Sequence, residues 1–487
     1  MMRAFETTTD LLPYQADAVA KLLPSRVGAL FMEMGTGKTR TAIELVKIRH
    51  RKIDRVLWFC PVSLKETVRR EILKHTDCTD ADICVFREST NERNVNPDAM
   101  WYVIGLESVS QSTKTALTTR RLVTEETFAI VDESTYIKGN RALRTQRLIA
   151  FCEHCRYRMI LTGTPMTQGV PDLFSQLYFL SPKILGYRSW YTFAKNHLEY
   201  HKTKKGMIVG SHNKELLAAK MAPYVFQVTK EECLSLPDKL RHYHYVALSD
   251  AQREAYEYAK EDFLRNSFRG GDGDVDSLCI FHLFTSLQSI VCGFWRYNEN
   301  WWNLGRPKVM RDERFEHNRI EGLLSAVERI PAGEKVIVWA KYRYCLEQIV
   351  EALSECYGSE SVARFYGDIP VRERETELLH FRGHARFFVA TQSCGGHGLT
   401  LNEANHVIFY ADGFKYSERL QAEDRCHRIG QEKPVTYITI QSDAGIEERI
   451  DKSLLRKSNA LLDFQREIDK IKRDGIRDRV RELVMKL

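Results

Sequence analysis

The chain has 487 residues, which at about 150 per domain leaves room for two to four domains and excludes a single small binding module. With 43% hydrophobic and 28% charged residues, 27 Gly and 13 Pro, it has the composition of a globular protein with buried cores, which excludes disorder and fibrous architectures. Lysine and arginine total 72 against 65 acidic residues, and the resulting +7 permits a nucleic-acid partner without requiring one. The 12 cysteines follow no regular spacing and point to reduced thiols rather than disulfides. The opening stretch MMRAFETTTDLLPYQ holds Glu6 and Asp10 and no apolar run flanked by basic residues, so the protein is expected to stay inside the cell and not to be secreted. The longest uncharged stretch, Ser277 to Trp295, carries His282, Thr285, Ser286, Gln288 and Ser289 and reads as a buried helix, not a membrane span.

Along the chain, apolar runs at Ala29–Met32, Val56–Cys60, Trp101–Ile104, Ala129–Val131 and Met159–Leu161 predict buried parallel strands. Amphipathic stretches at Thr41–Arg49 and Lys65–Lys74 separate some of them, which implies α/β layers. The texture returns at Val336–Trp339, Ala363–Tyr366, Phe387–Ala390, Val407–Tyr410 and Thr436–Ile440, predicting a second α/β lobe. Between them, roughly 181 to 319, the chain turns aromatic and helical, with a flexible Gly/Asp loop at 269–274. After Gly445, apolar residues recur at three and four among charges of both signs, predicting a bracing helix. No fixed-period repeat is present.

Three segments carry chemistry. Ala29–Met32 leads into Glu33-Met34-Gly35-Thr36-Gly37-Lys38-Thr39, followed by a helix-forming run from Arg40 to Arg49. Glycines there let backbone N–H groups converge on phosphate oxygens, the helix start presents its positive dipole end, Lys38 reaches terminal phosphates and Thr39 ligates magnesium. Met32 stands where the full G-x-x-x-x-G-K-[ST] pattern has its first glycine, and a glycine turn capping a helix is the plain alternative. Second, Phe128-Ala-Ile-Val-Asp132-Glu133-Ser134-Thr135 ends an apolar run in two carboxylates, where an open α/β sheet presents ligands. Asp132 can then hold the metal while Glu133 deprotonates the attacking water; a solvated acidic pair is the alternative. Third, Gln421-Ala-Glu-Asp-Arg425-Cys-His-Arg428-Ile-Gly-Gln431 puts two arginines three apart, on one face if helical. Their fixed forks suit the charge that spreads over a transferring phosphate, whereas a surface salt-bridge helix with Glu423 and Asp424 is the rival reading.

With these segments in order, the chain resembles the Swi/Snf family of superfamily-two helicase-type ATPases, double-stranded DNA translocases that include chromatin remodellers. Leu12-Pro-Tyr-Gln15 resembles the family's adenine-reading Q motif, GTGKT (35 to 39) its motif I, and Phe59-Cys-Pro-Val-Ser-Leu-Lys65 its motif Ia. Asp132-Glu-Ser-Thr-Tyr-Ile-Lys138 stands for motif II, Leu161-Thr-Gly-Thr-Pro165 for motif III and Val336-Ile-Val-Trp-Ala340 for motif IV. Thr391-Gln-Ser-Cys-Gly-Gly-His-Gly-Leu-Thr-Leu-Asn402 resembles motif V, and QAEDRCHRIGQ (421 to 431) the family's signature motif VI. The family usually reads DEAH or DEGH at motif II, so Ser134 and Thr135 are departures that keep both carboxylates.

The resemblance implies an α/β fold of two RecA-like lobes: lobe 1 in 1–235, a helical insertion and linker in 236–320, lobe 2 in 321–445 and a C-terminal helical brace in 446–487. It implies an ATP-dependent motor stimulated by and moving along double-stranded DNA, acting as a monomer on DNA structures or DNA-bound proteins. A single-strand DNA or RNA helicase, or a non-catalytic DNA-binding scaffold, are the alternatives. Catalytic roles are implied for Lys38, Asp132, Glu133, Arg425 and Arg428, and ATP contacts for Gln15, Gly35, Thr36, Gly37, Lys38, Thr39, Gly398 and Gln421. Magnesium falls to Thr39 and Asp132, and DNA contacts to Lys65, Thr164 and Thr391. The compact motor suggests a cytoplasmic setting in a bacterial or virus-infected cell, or a nuclear one. Cys152-Glu-His-Cys155 has zinc-like spacing but no second pair, so zinc is not expected. Trp295, Trp301 and Trp302 are read as helical-insertion core rather than base-stacking platforms.

Overall fold

The computed structural model describes residues 2–167, 169–200, 206, 208–234, 236–267, 277–301, 307–395, 399–456, 458–461, 463–464, 467–468 and 477–487. Two compact units divide the chain, Met1–Ser235 and Leu236–Leu487.

The first unit is built on a parallel sheet of β1 (Val27–Met32), β2 (Arg55–Cys60), β3 (Ile83–Val85), β4 (Trp101–Gly105), β5 (Thr127–Asp132) and β6 (Tyr157–Leu161), joined after a β7 (Leu198–Tyr200)/β8 (Ile208–Ser211) hairpin by β9 (Val225–Val228). The order is β3-β4-β2-β5-β6-β1-β9. Both faces are covered, which is why the strand sequences are continuously apolar. Ala29, Phe31, Leu57, Phe59, Ala129 and Val131 enter one core, while the residues between them, such as Leu30, Trp58 and Ile130, enter the other. Helices Pro13–Leu22, Lys38–Arg49 and Lys65–His75 cover the second face through Leu22, Ile43 and Ile72. Helices Leu143–Cys152 and Leu173–Leu180 cover the first through Leu148 and Leu177. The sequence reading had no β3 or β9; both are short strands at the sheet's edges, where one neighbour is missing and burial is incomplete.

The second unit has a six-stranded parallel sheet in the order β10-β17-β16-β13-β15-β14. Its strands are β10 (Lys239–Val246), β13 (Lys335–Trp339), β14 (Val362–Phe365), β15 (Phe387–Ala390), β16 (Ala404–Phe409) and β17 (Val435–Ser442). Val336 and Val338 point into one core and Ile337 and Trp339 into the other. The stretch expected as a helical insertion thus begins with a sheet strand: β10 runs in register along β17 from Lys239↔Val435 to Val246↔Ser442. It lies at the edge, largely exposed, so its sequence KLRHYHYV lacks the apolar run of a core strand.

A third core in this unit packs helices Asp250–Ser267 and Ser277–Val291 against the antiparallel hairpin β11 (Phe294–Asn298)/β12 (Met310–Arg314). The aromatic residues read as helical core are core, but on a hairpin: Trp295 stacks on Tyr297 at 4.0 Å, and Trp301 on His282 at 4.6 Å. Trp302 and the Gly/Asp stretch 269–274 lie outside the described residues. The expected bracing helix is divided. Helix Gly445–Leu455 stops where Ser458 N–H bonds Ser453 O at 2.9 Å, and Asn459 bridges Lys415. A separate helix, Arg477–Met485, docks on Asp250–Ser267, with Tyr256 OH donating to Leu487 O and Lys260 Nζ to Met485 O at 3.2 Å. Among the described residues, no helix is long and apolar enough to cross a membrane.

Arg319 joins the sheet to the C-terminal region. Buried at the start of helix Arg319–Glu328, it donates to Tyr410 O, to Ile440 O at 2.9 Å and to both oxygens of Glu447 at 3.1 and 2.7 Å. Removing one partner of such a pair strands the other charge. Arg319→Met is expected to destabilise the second unit by about 3–5 kcal/mol, read as a lower urea midpoint.

Candidate functional site

A parallel sheet covered on both faces leaves polar chemistry to its strand ends, and the predicted segments of the first unit leave from one such edge. β1 and β5 flank β6, with Leu30 beside Leu161 and Asp132 paired with Leu161, so the glycine loop, the acidic pair and the turn after β6 share the carboxyl ends of three adjacent strands.

The loop between β1 and helix Lys38–Arg49 turns on Gly35 (φ 78°) and Gly37 (φ 83°), a left-handed region that L side chains rarely adopt. A Cβ on Gly37 would also lie 2.2 Å from Gln15 Nε2, and one on Gly163 would lie 3.2 Å from Met34 N. Thr36 Oγ1 donates to Glu33 O at 2.7 Å, and Lys38 Nζ donates to Met32 O at 2.9 Å and Glu33 O at 3.3 Å, which holds the ammonium at the loop. Met32, in the place of the fuller pattern's first glycine, is the buried last residue of β1. Thr39 is half-buried in the helix's first turn.

Gln15 braces this loop. Its Oε1 accepts from Leu12 N–H at 3.0 Å and its Nε2 donates to Thr36 O at 3.0 Å, joined there by Tyr14 OH at 2.9 Å. The loop is pinned from the far side too, because Glu33 Oε2 accepts from Lys230 N–H at 2.8 Å just beyond β9. Sequence reasoning passed over Glu33 and Lys230, since only the sheet order brings residues so distant in sequence together.

At the end of β5, Asp132 and Glu133 are both buried, so the pair is not a solvated surface feature. Burial pushes the Asp132 carboxyl up to about 7, the charge of Glu133 adds to the rise, and Lys38 opposes it. Glu133 has φ 49° and its N–H donates to Asp132 Oδ1 at 2.9 Å. A non-glycine residue in this region costs about 1–3 kcal/mol and persists only where its surroundings enforce it.

Two residues expected to touch DNA are engaged within the first unit. Lys65 Nζ donates to Phe86 O, and burial lowers its pKa. Thr164 N–H donates to Thr162 Oγ1 at 3.2 Å in the turn after β6. Cys152 and Cys155 are buried in the first core.

In the second unit the arginines do not ride on a helix. Helix Tyr416–Glu423 ends before them and they lie in the turns beyond. The turns still gather them: Arg425 Nη1 and Arg428 Nη1 donate to one carbonyl, Leu399 O, at 3.0 and 3.2 Å, while Arg425 Nε donates to Gln421 O at 2.9 Å. Thr391 Oγ1 accepts from Cys394 N–H at 3.2 Å, capping a short helix. Gly398 lies outside the described residues.

Glu423 and Asp424, the suspected surface partners, are buried. Glu423 takes Arg419 Nε at 3.0 Å, the two Arg241 Nη groups at 2.9 and 3.0 Å and Lys239 Nζ at 3.2 Å. Arg419 also pairs with Asp412, which accepts from Gln392 Nε2 at 2.9 Å. Burial raises the Asp412 carboxyl, whereas Glu423, facing Arg419, Lys239 and Arg241, overcomes its own burial and falls to about 2. The network ties β10, β16 and the motif V segment to the residues just before Arg425. Its carboxylates were legible as acids, but nothing local marked them as buried.

Comparisons agree with this architecture. A SNF2-related domain matches residues 14–292, and a helicase conserved C-terminal domain matches 318–430. The mouse SWI/SNF-related matrix-associated actin-dependent regulator of chromatin subfamily A member 1 is 28% identical over 338 residues, 66% of this chain and 30% of the relative. Human chromodomain-helicase-DNA-binding protein 1 is 24% identical over 442 residues, 86% of this chain and 24% of the relative. The chain thus spans less than a third of the length of these relatives. The helicase domain of Pyrococcus furiosus Hef shares the fold, with TM-score 0.54 at 14% identity, covering 91% of this chain and 98% of that one.

Glu423→Gln removes the anion that three cations face and is expected to cost about 3–5 kcal/mol in stability. Because folding lowers this carboxyl from 4.5 to about 2, its contribution is full above pH 4.5 and is lost as pH falls through about 2. Denaturant melts across that range should show the parent's advantage over the variant shrinking on acidification.

Proposed function

Because the chain belongs to the SNF2-related family of helicase-like ATPases, we propose that it hydrolyses ATP to ADP and phosphate and uses the cycle to move along double-stranded DNA, displacing bound proteins or remodelling DNA structures. The observation that carries this reading is the meeting, at one sheet edge, of a left-handed glycine loop, Lys38 and two buried carboxylates, of which Asp132 interacts electrostatically with Lys38.

Each residue's part follows from its chemistry. The N–H groups of Gly35 to Thr39 and the start of their helix receive the phosphates, and Lys38, already held at the loop, exchanges the Met32 and Glu33 carbonyls for phosphate oxygens. Glu133 takes the proton of the attacking water, a task suited to a carboxylate kept from solvent and fixed at its backbone. Two adjacent buried carboxylates next to Lys38 suit a divalent cation, so Asp132 and Thr39 would hold magnesium, which supplies charge neutralisation at the phosphate oxygens. Gln15 is assigned to the adenine, and it also holds the phosphate loop through Thr36 O.

Arg425 and Arg428 are assigned to the γ-phosphate, where two permanently charged forks stabilise the charge of a loose transition state. Lys65, Thr164 and Thr391 are assigned to DNA phosphates, so sequence preference is not expected. For Lys65 this means giving up the Phe86 carbonyl. Nucleotide-dependent differences in DNA affinity then become directional movement of a monomer.

The test is ATP turnover in the presence of duplex DNA, single-stranded DNA or RNA, with third-strand release from a triplex as the measure of movement. Duplex DNA should stimulate most. Glu133→Gln should lower kcat by about 10²–10⁴-fold, and Lys38→Ala should abolish third-strand release. Greater stimulation by RNA, or a Glu133→Gln variant as fast as the parent, overturns the reading.

A further inference from the structure

The segment after Glu133 is bound to the turn after β6 by side chains to which no role has been given. Ser134 is fully buried and its Oγ donates to Gln176 Oε1 at 2.6 Å. Gln176, equally buried on helix Leu173–Leu180, donates through Nε2 to Pro165 O at 2.8 Å and to Asp172 O at 2.7 Å. The amide therefore uses its oxygen and both hydrogens, and flipping it would lose both bonds to the backbone carbonyls. A second tie closes the other end of the short 3-10 turn Ser134–Ile137: Lys138 Nζ lies 3.6 Å from Asp172 Oδ2, which also accepts from Thr167 N–H at 2.7 Å and Thr167 Oγ1 at 2.9 Å.

This clamp bears on catalysis because of what precedes it. Glu133 is the N-cap of that turn and sits in the left-handed region, a conformation that its surroundings must enforce. Ser134 is its next neighbour in the chain. The DEAH and DEGH patterns that motif II resembles offer no side-chain donor at this place, so the bond to Gln176 belongs to this chain's departure from them. On the other side of the relay stands Pro165, next to Thr164.

We propose that Gln176 is a positioning residue for ATP hydrolysis: through Ser134 it fixes the backbone of Glu133 relative to the Thr162–Pro165 turn, so that the carboxylate is aimed by the same turn that carries Thr164. The inference rests on the assignment of Glu133 as general base. Loss of the relay misplaces the base without removing a group that binds nucleotide, and misplacement by about 1 Å costs up to a hundredfold in rate.

The experiment measures kcat, equilibrium affinity for a fluorescent ATP analogue and melting temperature for the parent, Ser134→Ala, Gln176→Leu, the double variant and Leu177→Ala. Leu177 is buried on the same helix and packs in the core, so its truncation lowers stability without touching the relay. Expected are a loss of kcat of about ten- to a hundredfold in Gln176→Leu, analogue affinity within about twofold of the parent, and a double variant no slower than the slower single one. Leu177→Ala should keep kcat within about twofold at temperatures well below its melting point. If Leu177→Ala slows turnover as much as Gln176→Leu, or the losses of the two single variants multiply in the double, the relay is only structural. A parent that does not hydrolyse ATP, or a Glu133→Gln variant as fast as the parent, instead overturns the assignment of the base, and the relay falls with it.

Discussion

A parallel sheet buried on both faces forces the chemistry of the first unit to one place. Its strands present mainly apolar side chains to the layers above and below, and unpaired polar groups there would cost several kcal/mol each. Polar function is confined to strand ends, and the order β5-β6-β1 brings three such ends side by side. The glycine loop, the acidic pair and the turn carrying Thr164 are neighbours because those strands are.

At that edge the local electrostatics are unbalanced. Asp132 and Glu133 place two carboxylates where burial opposes charge, and Lys38 compensates only in part, leaving Asp132 far above its ordinary range. Perturbation of this kind, from desolvation and a like charge in a loop-lined edge, is characteristic of candidate functional sites. The backbone shows the same tension: Glu133 and the loop glycines occupy left-handed conformations that the surrounding bonds maintain. Gln15, Glu33, Ser134 and Gln176 do that holding.

The second unit organises its cations by a different device. Three basic groups converge on Glu423, and the stretch that follows is left free to turn, so that Arg425 and Arg428 meet at Leu399 O. Arg425 is buried like the anion and Arg428 is half-buried, yet the forks of both rest on backbone carbonyls rather than on a carboxylate. The arginines are thus brought together by turn geometry rather than by helical periodicity.

Sequence alone determined the cores and the motifs. Largely apolar runs marked ten of the strands because a strand covered on both faces favours apolar residues, and the glycine loop, the acidic pair and QAEDRCHRIGQ were visible because backbone freedom and phosphate chemistry restrict residue choice at those positions. Edge strands β3 and β9 escaped notice, and β10 showed only as a strand-like run after Lys239 with no place in a sheet, since half-covered strands accept polar residues. What only the tertiary structure decided is the set of long-range polar bonds: Gln15 with the loop, Glu33 with Lys230, Ser134 with Gln176 and Glu423 with Arg241. A serine or a glutamate carries no local sign of whether it will face water or a partner many residues away. That depends on which strands become neighbours, and strand order is set by the packing of the whole layer.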